Sequence, residues 1–254
     1  MALKNNIMRL FGLIGYPLGH SFSKKYFSEK FNREDIADAR YELFELPEIA
    51  GFKSLVDCLP ELEGLNVTIP HKQAVIPYLD VLEESAKKVG AVNVIRLQNG
   101  RLTGYNSDYF GFKRSLEQWL PKSRRELQAL VLGTGGASKA VSAALKDLNI
   151  PFQLVSRTAG PQLLSYQALK AQPELLKEHQ LIINTTPLGT APHTEEAPPL
   201  DYQLLTHQHF LYDLVYNPAK TRFMQLGEAQ GAQVKNGLEM LQLQAEKAWE
   251  IWNS

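Results

Sequence analysis

Residues 127–148 read LQALVLGTGGASKAVSAALKDL. Leu127–Leu132 is a short apolar run of the kind that forms a fully buried strand. Gly133, Gly135 and Gly136 interrupt it, and a helical pattern follows from Lys139 to Leu148. A strand, a glycine-rich turn and a helix in that order form the setting for a dinucleotide pyrophosphate. Gly133 suits the tight turn. Gly135 and Gly136 admit close backbone approach, and Thr134 to Ala137 lead into the positive end of the helix. Ser138 replaces the last glycine of the G-x-G-x-x-G pattern. A plain βα turn is the bland alternative, and the correctly placed strand and helix count against it.

The next strand, LVSRT, ends in Ser156-Arg157-Thr158. An NAD enzyme usually places an acid there for the ribose 2′-hydroxyl. Arg157 instead offers a planar fork to a 2′-phosphate, which favours NADP. The competing reading of Arg157 is a solvated surface arginine.

Outward from this point, strand-like and helical segments alternate along the chain. LIINTTP and HFLYDLVYNP read as strands, and AKTRFMQLGEAQG as a helix. Upstream, RLFGLIG, ARYELFEL, LEGLNVTIP and AVNVIRL read as strands separated by helical stretches, one of them around 74–82. Asn99-Gly100 between NVIRLQ and RLTGYN predicts a hairpin. Another helix is predicted over about 107–120, and a long one at the C-terminus, where Leu238, Leu241, Ala245, Ala248, Trp249 and Trp252 recur at helical spacing. The rhythm predicts an α/β protein with mainly parallel sheets, in two units joined near residues 106–108.

The composition is that of an ordinary soluble protein: 254 residues, 44% hydrophobic, 21% charged, with 27 Lys+Arg against 27 Asp+Glu. That balance speaks against a nucleic-acid partner. Cys58 is the only cysteine, which excludes an intrachain disulfide and fits a reducing cytoplasm. The apolar run Leu10–Ile14 is too short for a signal peptide or a membrane span.

Three further places carry chemistry. In GYPLGHSFSKK (15–25), two serines follow a bend. A capping box would want Glu or Gln at 24 or 26, but Lys24 and Tyr26 stand there. Two hydroxyls at a helix start beside lysines fit a bound carboxylate, while a cap remains available to one serine. In GLNVTIPHK (64–72), Asn66 and Thr68 alternate with apolar residues and so share a face, and Lys72 follows the strand end. Asn93 is a polar position in an apolar run, and Asp108 opens a helix. Taken singly, Lys72 reads as a surface lysine, His71 as a loop histidine, Asn93 as a satisfied buried amide or a turn position, and Asp108 as an N-cap or first-turn acid.

Taken together, GYPLGHSFS, NVTIPHK, GAVNVI, NSDYFGF, GTGGAS, SRT, NTTPLG, DLVYNP and NGLEMLQLQA occur in the order seen in shikimate dehydrogenases, and the chain resembles that family along nearly its whole length. The resemblance implies two α/β domains around a cleft: a substrate domain (1–106 plus 238–254) and a Rossmann-like NADP domain (107–237). It implies reduction of 3-dehydroshikimate to shikimate with NADPH in aromatic amino-acid biosynthesis. Ser21 and Ser23 would hold the substrate carboxylate. Thr68, Asn93 and Asp108 would hold ring hydroxyls with Asn66 nearby, and Tyr216 and Gln244 would complete the pocket. Lys72 and Asp108 would form the catalytic pair. The cofactor would lie on Gly133, Thr134, Gly135, Gly136, Ala137, Ser156, Arg157 and Thr158, bordered by Thr185, Leu214 and Gly237. No metal is called for. A monomer or homodimer in the cytoplasm is expected, with a small molecule as its partner.

Hydride addition to a ketone builds negative charge on oxygen, so a positioned acid must donate a proton or stabilise that charge. A lysine beside an aspartate can do either. One departure concerns the cofactor. Many relatives carry a second basic residue after the Arg-Thr pair, but Ala159-Gly160-Pro161-Gln162 follows here. Two alternatives compete: a quinate/shikimate dehydrogenase with relaxed cofactor use, and a non-catalytic NADP-binding regulatory module.

Overall fold

Leu10 to Gly15 are all buried in strand β1 (Arg9–Gly15), because this strand has packed layers on both faces. In the computed structural model, which describes residues 8–19, 21–121 and 127–254, the chain divides into two units. Met1–Ser107 with Ala245–Ser254 form one, and Asp108–Gln244 the other.

The first unit continues through α1 (Phe22–Arg33), β2 (Ala39–Glu45), α2 (Phe52–Asp57), β3 (Leu62–Val67), α3 (His71–Ala74), β4 (Val81–Leu82), α4 (Glu84–Val89), β5 (Val94–Gln98) and β6 (Arg101–Tyr105). Its sheet runs β2-β1-β3-β5-β6-β4. It is mixed: β3–β5 and β5–β6 are antiparallel and the other pairs parallel. The β5–β6 hairpin turns at Asn99 (φ 53°) and Gly100 (φ 73°), the left-handed pair that a tight primed turn requires. Phe11 packs on one face with Phe27, Phe31, Tyr41 and Trp252, and Leu10 and Ile14 pack on the other with Phe52 and Leu65.

The helix expected around 74–82 does not form. The stretch holds the single turn α3, a 3-10 turn at Ile76–Tyr78 and the two-residue strand β4. Pro77 has no amide hydrogen to continue a helix, and its ring clashes with the preceding turn.

The second unit contains α5 (Ser107–Trp119, whose first residue belongs to the first unit), β7 (Ala129–Leu132), α6 (Gly136–Asp147), β8 (Phe152–Ser156), β9 (Leu163–Ser165), α7 (Tyr166–Ala171), α8 (Glu174–Glu178), β10 (Leu181–Asn184), β11 (Phe210–Asp213), α9 (Arg222–Glu228) and β12 (Gln233–Lys235). Its sheet, β12-β11-β10-β7-β8-β9, is parallel throughout. Ala129 and Val131 of β7 face one core, and Leu130 and Leu132 the other. That two-sided burial explains the apolar run Ala129–Leu132. The last helix, α10 (Leu238–Trp252), begins in the second unit and ends in the first. In the first unit its Glu246 takes a hydrogen bond from Lys30 (2.8 Å) and another from Tyr26.

Asp213 closes β11 fully buried, with Asn184 Nδ2 (2.9 Å), the Val215 amide (3.0 Å) and Thr221 Oγ1 (2.6 Å) donating to it. Burial outweighs those three donors and lifts its pKa to about 6. The unfolded carboxyl ionises near pH 4. Below that both states are protonated. From there to about pH 6 only the unfolded state ionises, so this residue's contribution to stability falls as pH rises and levels off above. The cost is up to about 2–3 kcal/mol. In Asp213→Asn, the stability difference from wild type should therefore change across pH 4–6 in denaturant titrations. A difference that stays constant with pH would remove the effect.

Candidate active site

The first unit gathers one group of sequence-predicted residues. Ser21 caps α1, its Oγ accepting the Lys24 amide at 3.4 Å. The capping role is therefore present after all, over a long hydrogen bond. Lys24 answers to Glu42 (2.8 Å), which removes the mismatch of a lysine in the first helical turn. Ser23 lies in that same turn, and the buried hydroxyl of Tyr41 donates to Asn66 Oδ1 at 2.7 Å. Burial holds the Tyr41 hydroxyl far above the usual tyrosine range.

Asn66 Nδ2 donates in turn to the Asn93 carbonyl (3.3 Å). The Asn93 side chain accepts the Ser107 amide (2.6 Å) and donates to Ser107 Oγ (3.0 Å), so it anchors the start of α5. The satisfied-amide reading of Asn93 holds. Tyr41 and Ser107, the two residues that join these groups, were not singled out from the sequence. Tyr41 lies in the strand ARYELFEL with nothing local to mark it, and only folding brings it to Asn66.

Thr68 leaves the end of β3, half-buried, its amide donating to the Ile14 carbonyl (2.9 Å). Lys72 sits half-buried on α3. Its carbonyl accepts the Val92 amide (2.7 Å), which ties the lysine's backbone to the segment bearing Asn93. His71 is buried, with Nε2 2.5 Å from the Leu46 carbonyl, and is a structural anchor for the same turn.

The second unit gathers the other group. Gly133, Thr134, Gly135, Ser156, Arg157, Thr158 and Thr185 line one cavity of about 800 Å³, with Val155, Tyr166 and Thr186 among its other walls. Gly133 has φ +110°, and a Cβ there would lie 2.7 Å from Thr185 Oγ1. Gly135 and Gly136 differ: a Cβ on either meets nothing within 4 Å. No side chain caps α6, so its first amides keep their hydrogens for a ligand. Ala137 follows inside the helix, half-buried. These features fit a dinucleotide pyrophosphate: open space over two glycines, uncapped amides and the helix dipole.

Around Arg157 the backbone is pinned by Ser156. Its Oγ accepts the Thr158 amide (3.1 Å) and donates to the Thr158 carbonyl (2.5 Å). Arg157 is exposed at the cavity wall. Thr185 Oγ1 donates to the Leu132 carbonyl (2.7 Å), linking β10 to the end of β7. Asn184 takes hydrogen bonds from the Thr186 amide (3.0 Å) and hydroxyl (2.6 Å) and reaches Asp213. The motifs NTTPLG and DLVYNP contain this clasp, but its pairing needed the two strands side by side.

Leu214 and Gly237 meet each other: a Cβ on Gly237 would fall 2.1 Å from the Leu214 carbonyl oxygen, so only glycine fits. Tyr216 is exposed. Gln244 is buried on α10 and donates to the Leu241 carbonyl (3.0 Å). Asp108 is half-buried in the first turn of α5, where the helix dipole favours a negative charge.

Among the described residues the buried Tyr166 hydroxyl has no hydrogen-bond partner, and burial pushes its pKa to about 12. An unsatisfied buried hydroxyl costs about 1–3 kcal/mol. Tyr166→Phe should stabilise the protein by ~1 kcal/mol, read as a higher denaturant midpoint at unchanged slope. An unchanged or lower midpoint would show that the hydroxyl has a partner in solution. Among the described residues no group of three or more His, Cys, Asp or Glu could hold a metal ion, and no helix is long and apolar enough to cross a membrane.

Residues 13–95 match a family profile described as the shikimate dehydrogenase substrate binding domain. Over the whole chain, a shikimate dehydrogenase (NADP(+)) of Clostridium beijerinckii is 39% identical, covering 96% of this chain and 92% of that protein. Among solved structures, shikimate 5-dehydrogenase from Thermus thermophilus, in complex with NADP(H) and shikimate, is 30% identical with a TM-score of 0.80, covering 96% of this chain and 93% of that one. Quinate dehydrogenase from Corynebacterium glutamicum, in complex with NAD, is 26% identical with a TM-score of 0.85, covering 96% and 93%.

Proposed function

Because this chain belongs to the shikimate dehydrogenase family, we propose that it reduces 3-dehydroshikimate to shikimate with NADPH, a step of aromatic amino-acid biosynthesis. The observation that carries the cofactor reading is the cavity where the glycine loop meets Ser156-Arg157-Thr158, with an arginine where an NAD site would place an acid. Gly133 to Ala137 would hold the pyrophosphate and Arg157 the 2′-phosphate. Ser156 and Thr158 would shape that end, and Thr185, Leu214 and Gly237 would border the nicotinamide end.

When bound, NADPH supplies the hydride that adds to the ring carbonyl carbon. The chain's own residues supply the rest. Ser21 and Ser23 seat the carboxylate. Asn66, Thr68 and Asn93 orient the ring through its hydroxyls, with Tyr216 and Gln244 completing the pocket. Lys72 meets the carbonyl oxygen as the C=O π bond breaks and places a proton there, and Asp108 is the second member of the catalytic pair. The single cysteine, exposed Cys58, suits the cytoplasm in which we place the enzyme.

A second reading has two observations behind it. No basic residue follows Arg157-Thr158 through Gln162, so the phosphate clamp is thin, and a quinate dehydrogenase with NAD is among the similar structures. Rates with shikimate and quinate, each with NAD and NADP, decide between the two. Shikimate with NADP should be fastest. Comparable rates for quinate with NAD would favour the second reading. A flat nicotinamide absorbance in all four arms, with cofactor still bound, would point to a regulatory module.

A further inference from the structure

Every hydrogen bond that the Asp213 side chain makes among the described residues is one it accepts. Oδ1 takes Asn184 Nδ2 (2.9 Å) and the Val215 amide (3.0 Å), and Oδ2 takes the Thr221 hydroxyl (2.6 Å). An ionised carboxylate only accepts, so it fixes which end of the Asn184 amide faces it. Asn184 Nδ2 also donates to the Leu188 carbonyl (3.5 Å), so both of its hydrogens are in use. Asn184 Oδ1 is thereby turned toward Thr186, whose amide (3.0 Å) and hydroxyl (2.6 Å) both donate to it. With its proton on Asn184, the Thr186 oxygen accepts the Leu188 amide (3.4 Å). The turn from Asn184 to Leu188 therefore takes its hydrogen-bond polarity from one carboxylate. Thr185, Thr186, Pro187 and Leu188 of that turn line the cavity that holds the glycine loop and Arg157. The neighbouring segment is tied to the same group. The Val215 carbonyl accepts the Gly237 amide (3.2 Å), and the Leu214 amide donates to the Asn184 carbonyl (3.0 Å).

We propose that Asp213 is a positioning residue of the cofactor site: its Oδ1, by accepting from Asn184, sets the Asn184–Leu188 wall of the cavity before the dinucleotide arrives. Asp213 is fully buried and does not line the cavity, so it acts through Asn184. The identity of the dinucleotide as NADP(H) rests on the function proposed above. A carboxylate that only held the fold together would act equally through Thr221, which sits on Oδ2 and caps α9 by accepting the Met224 amide (3.3 Å). Positioning acts through Oδ1.

The test measures NADPH Kd by fluorescence titration, beside thermal melts, for the full chain at neutral pH. Asp213→Ala should weaken NADPH at least ~tenfold, because binding must then order the turn that the carboxylate had already ordered. Asp213→Asn should stay within ~threefold of wild type, since two N–H donors face the Oδ1 position and hold the new amide oxygen there. Its amide nitrogen then faces Thr221, whose hydroxyl reverses to accept. Thr221→Val should melt lower, through the lost cap and the unpaired Oδ2, yet keep the NADPH Kd within ~threefold. A loss of ~tenfold or more in folded Thr221→Val would reduce Asp213 to a structural role and overturn the proposal. The same loss in Asp213→Asn, or wild-type affinity in Asp213→Ala, would also overturn it. If Asp213→Ala does not fold, Asn184→Ala takes its place, with a loss of ~tenfold expected and wild-type affinity overturning the proposal. Wild-type protein that binds NADPH without reducing 3-dehydroshikimate would defeat the functional reading and leave the affinity comparison intact. Wild-type protein that binds no NADPH would overturn both.

Discussion

Lys72→Ala should lower kcat by ~10²–10⁴-fold, the span expected when a positioned proton donor is lost. The structure makes this a clean truncation. The α3 turn is held by atoms other than the lysine tip: the buried His71 ring at the Leu46 carbonyl, the Val92 amide on the Lys72 carbonyl, and the Val75 amide on the His71 carbonyl. Removing the side chain beyond Cβ leaves those bonds in place, so thermal unfolding should stay near wild type. Substrate KM should change far less than kcat, because the carboxylate and hydroxyl contacts lie on other residues. The developing alkoxide is the species that needs the ammonium, and it exists only in the transition state. Near-normal turnover by folded Lys72→Ala would remove this lysine from the mechanism.

Gly135→Val should weaken NADPH binding by ~10²–10³-fold, about 3–4 kcal/mol, with little loss of stability. Two facts combine here. A Cβ at Gly135 meets nothing within 4 Å, and its φ of -78° is one that any residue adopts. The free protein therefore has room for a side chain. The same room is where, in the proposed site, the backbone would approach the pyrophosphate, and branched carbon there would hold the phosphates away from the α6 amides. Gly133→Ala is the contrasting control. With φ +110° and Thr185 Oγ1 2.7 Å from its Cβ, it should lose stability and binding together. Fluorescence titration of NADPH beside thermal melts reads both quantities. Unchanged affinity in Gly135→Val would place the pyrophosphate elsewhere.

Much of this site was legible in one dimension because its chemistry is local. A strand, three glycines and a helix are contiguous from Leu127 to Leu148, and Arg157 stands at the next strand end. Dinucleotide binding at a helix N-terminus uses backbone amides and so leaves a short-range signature. Lys72 was visible through its motif, although taken alone it read as a surface lysine. The helix expected around 74–82 does not form because Pro77 interrupts the stretch. Ser21 is both a cap and a candidate ligand residue, and no spacing rule separates those roles.

By itself the sequence determined the α/β rhythm, the glycine loop, the choice of arginine over acid and the hairpin at Asn99-Gly100. All of these rest on periodicity or on residues a few positions apart. Tertiary structure alone decided the antiparallel members of the first sheet, the Asn184–Asp213–Thr221 clasp and the hydrogen bonds from Tyr41 to Asn66 and from Asn66 to Asn93. Those features join groups far apart in the chain. A hydroxyl or amide in isolation carries no mark of whether it will donate or accept, and that assignment exists only once its partners are in place.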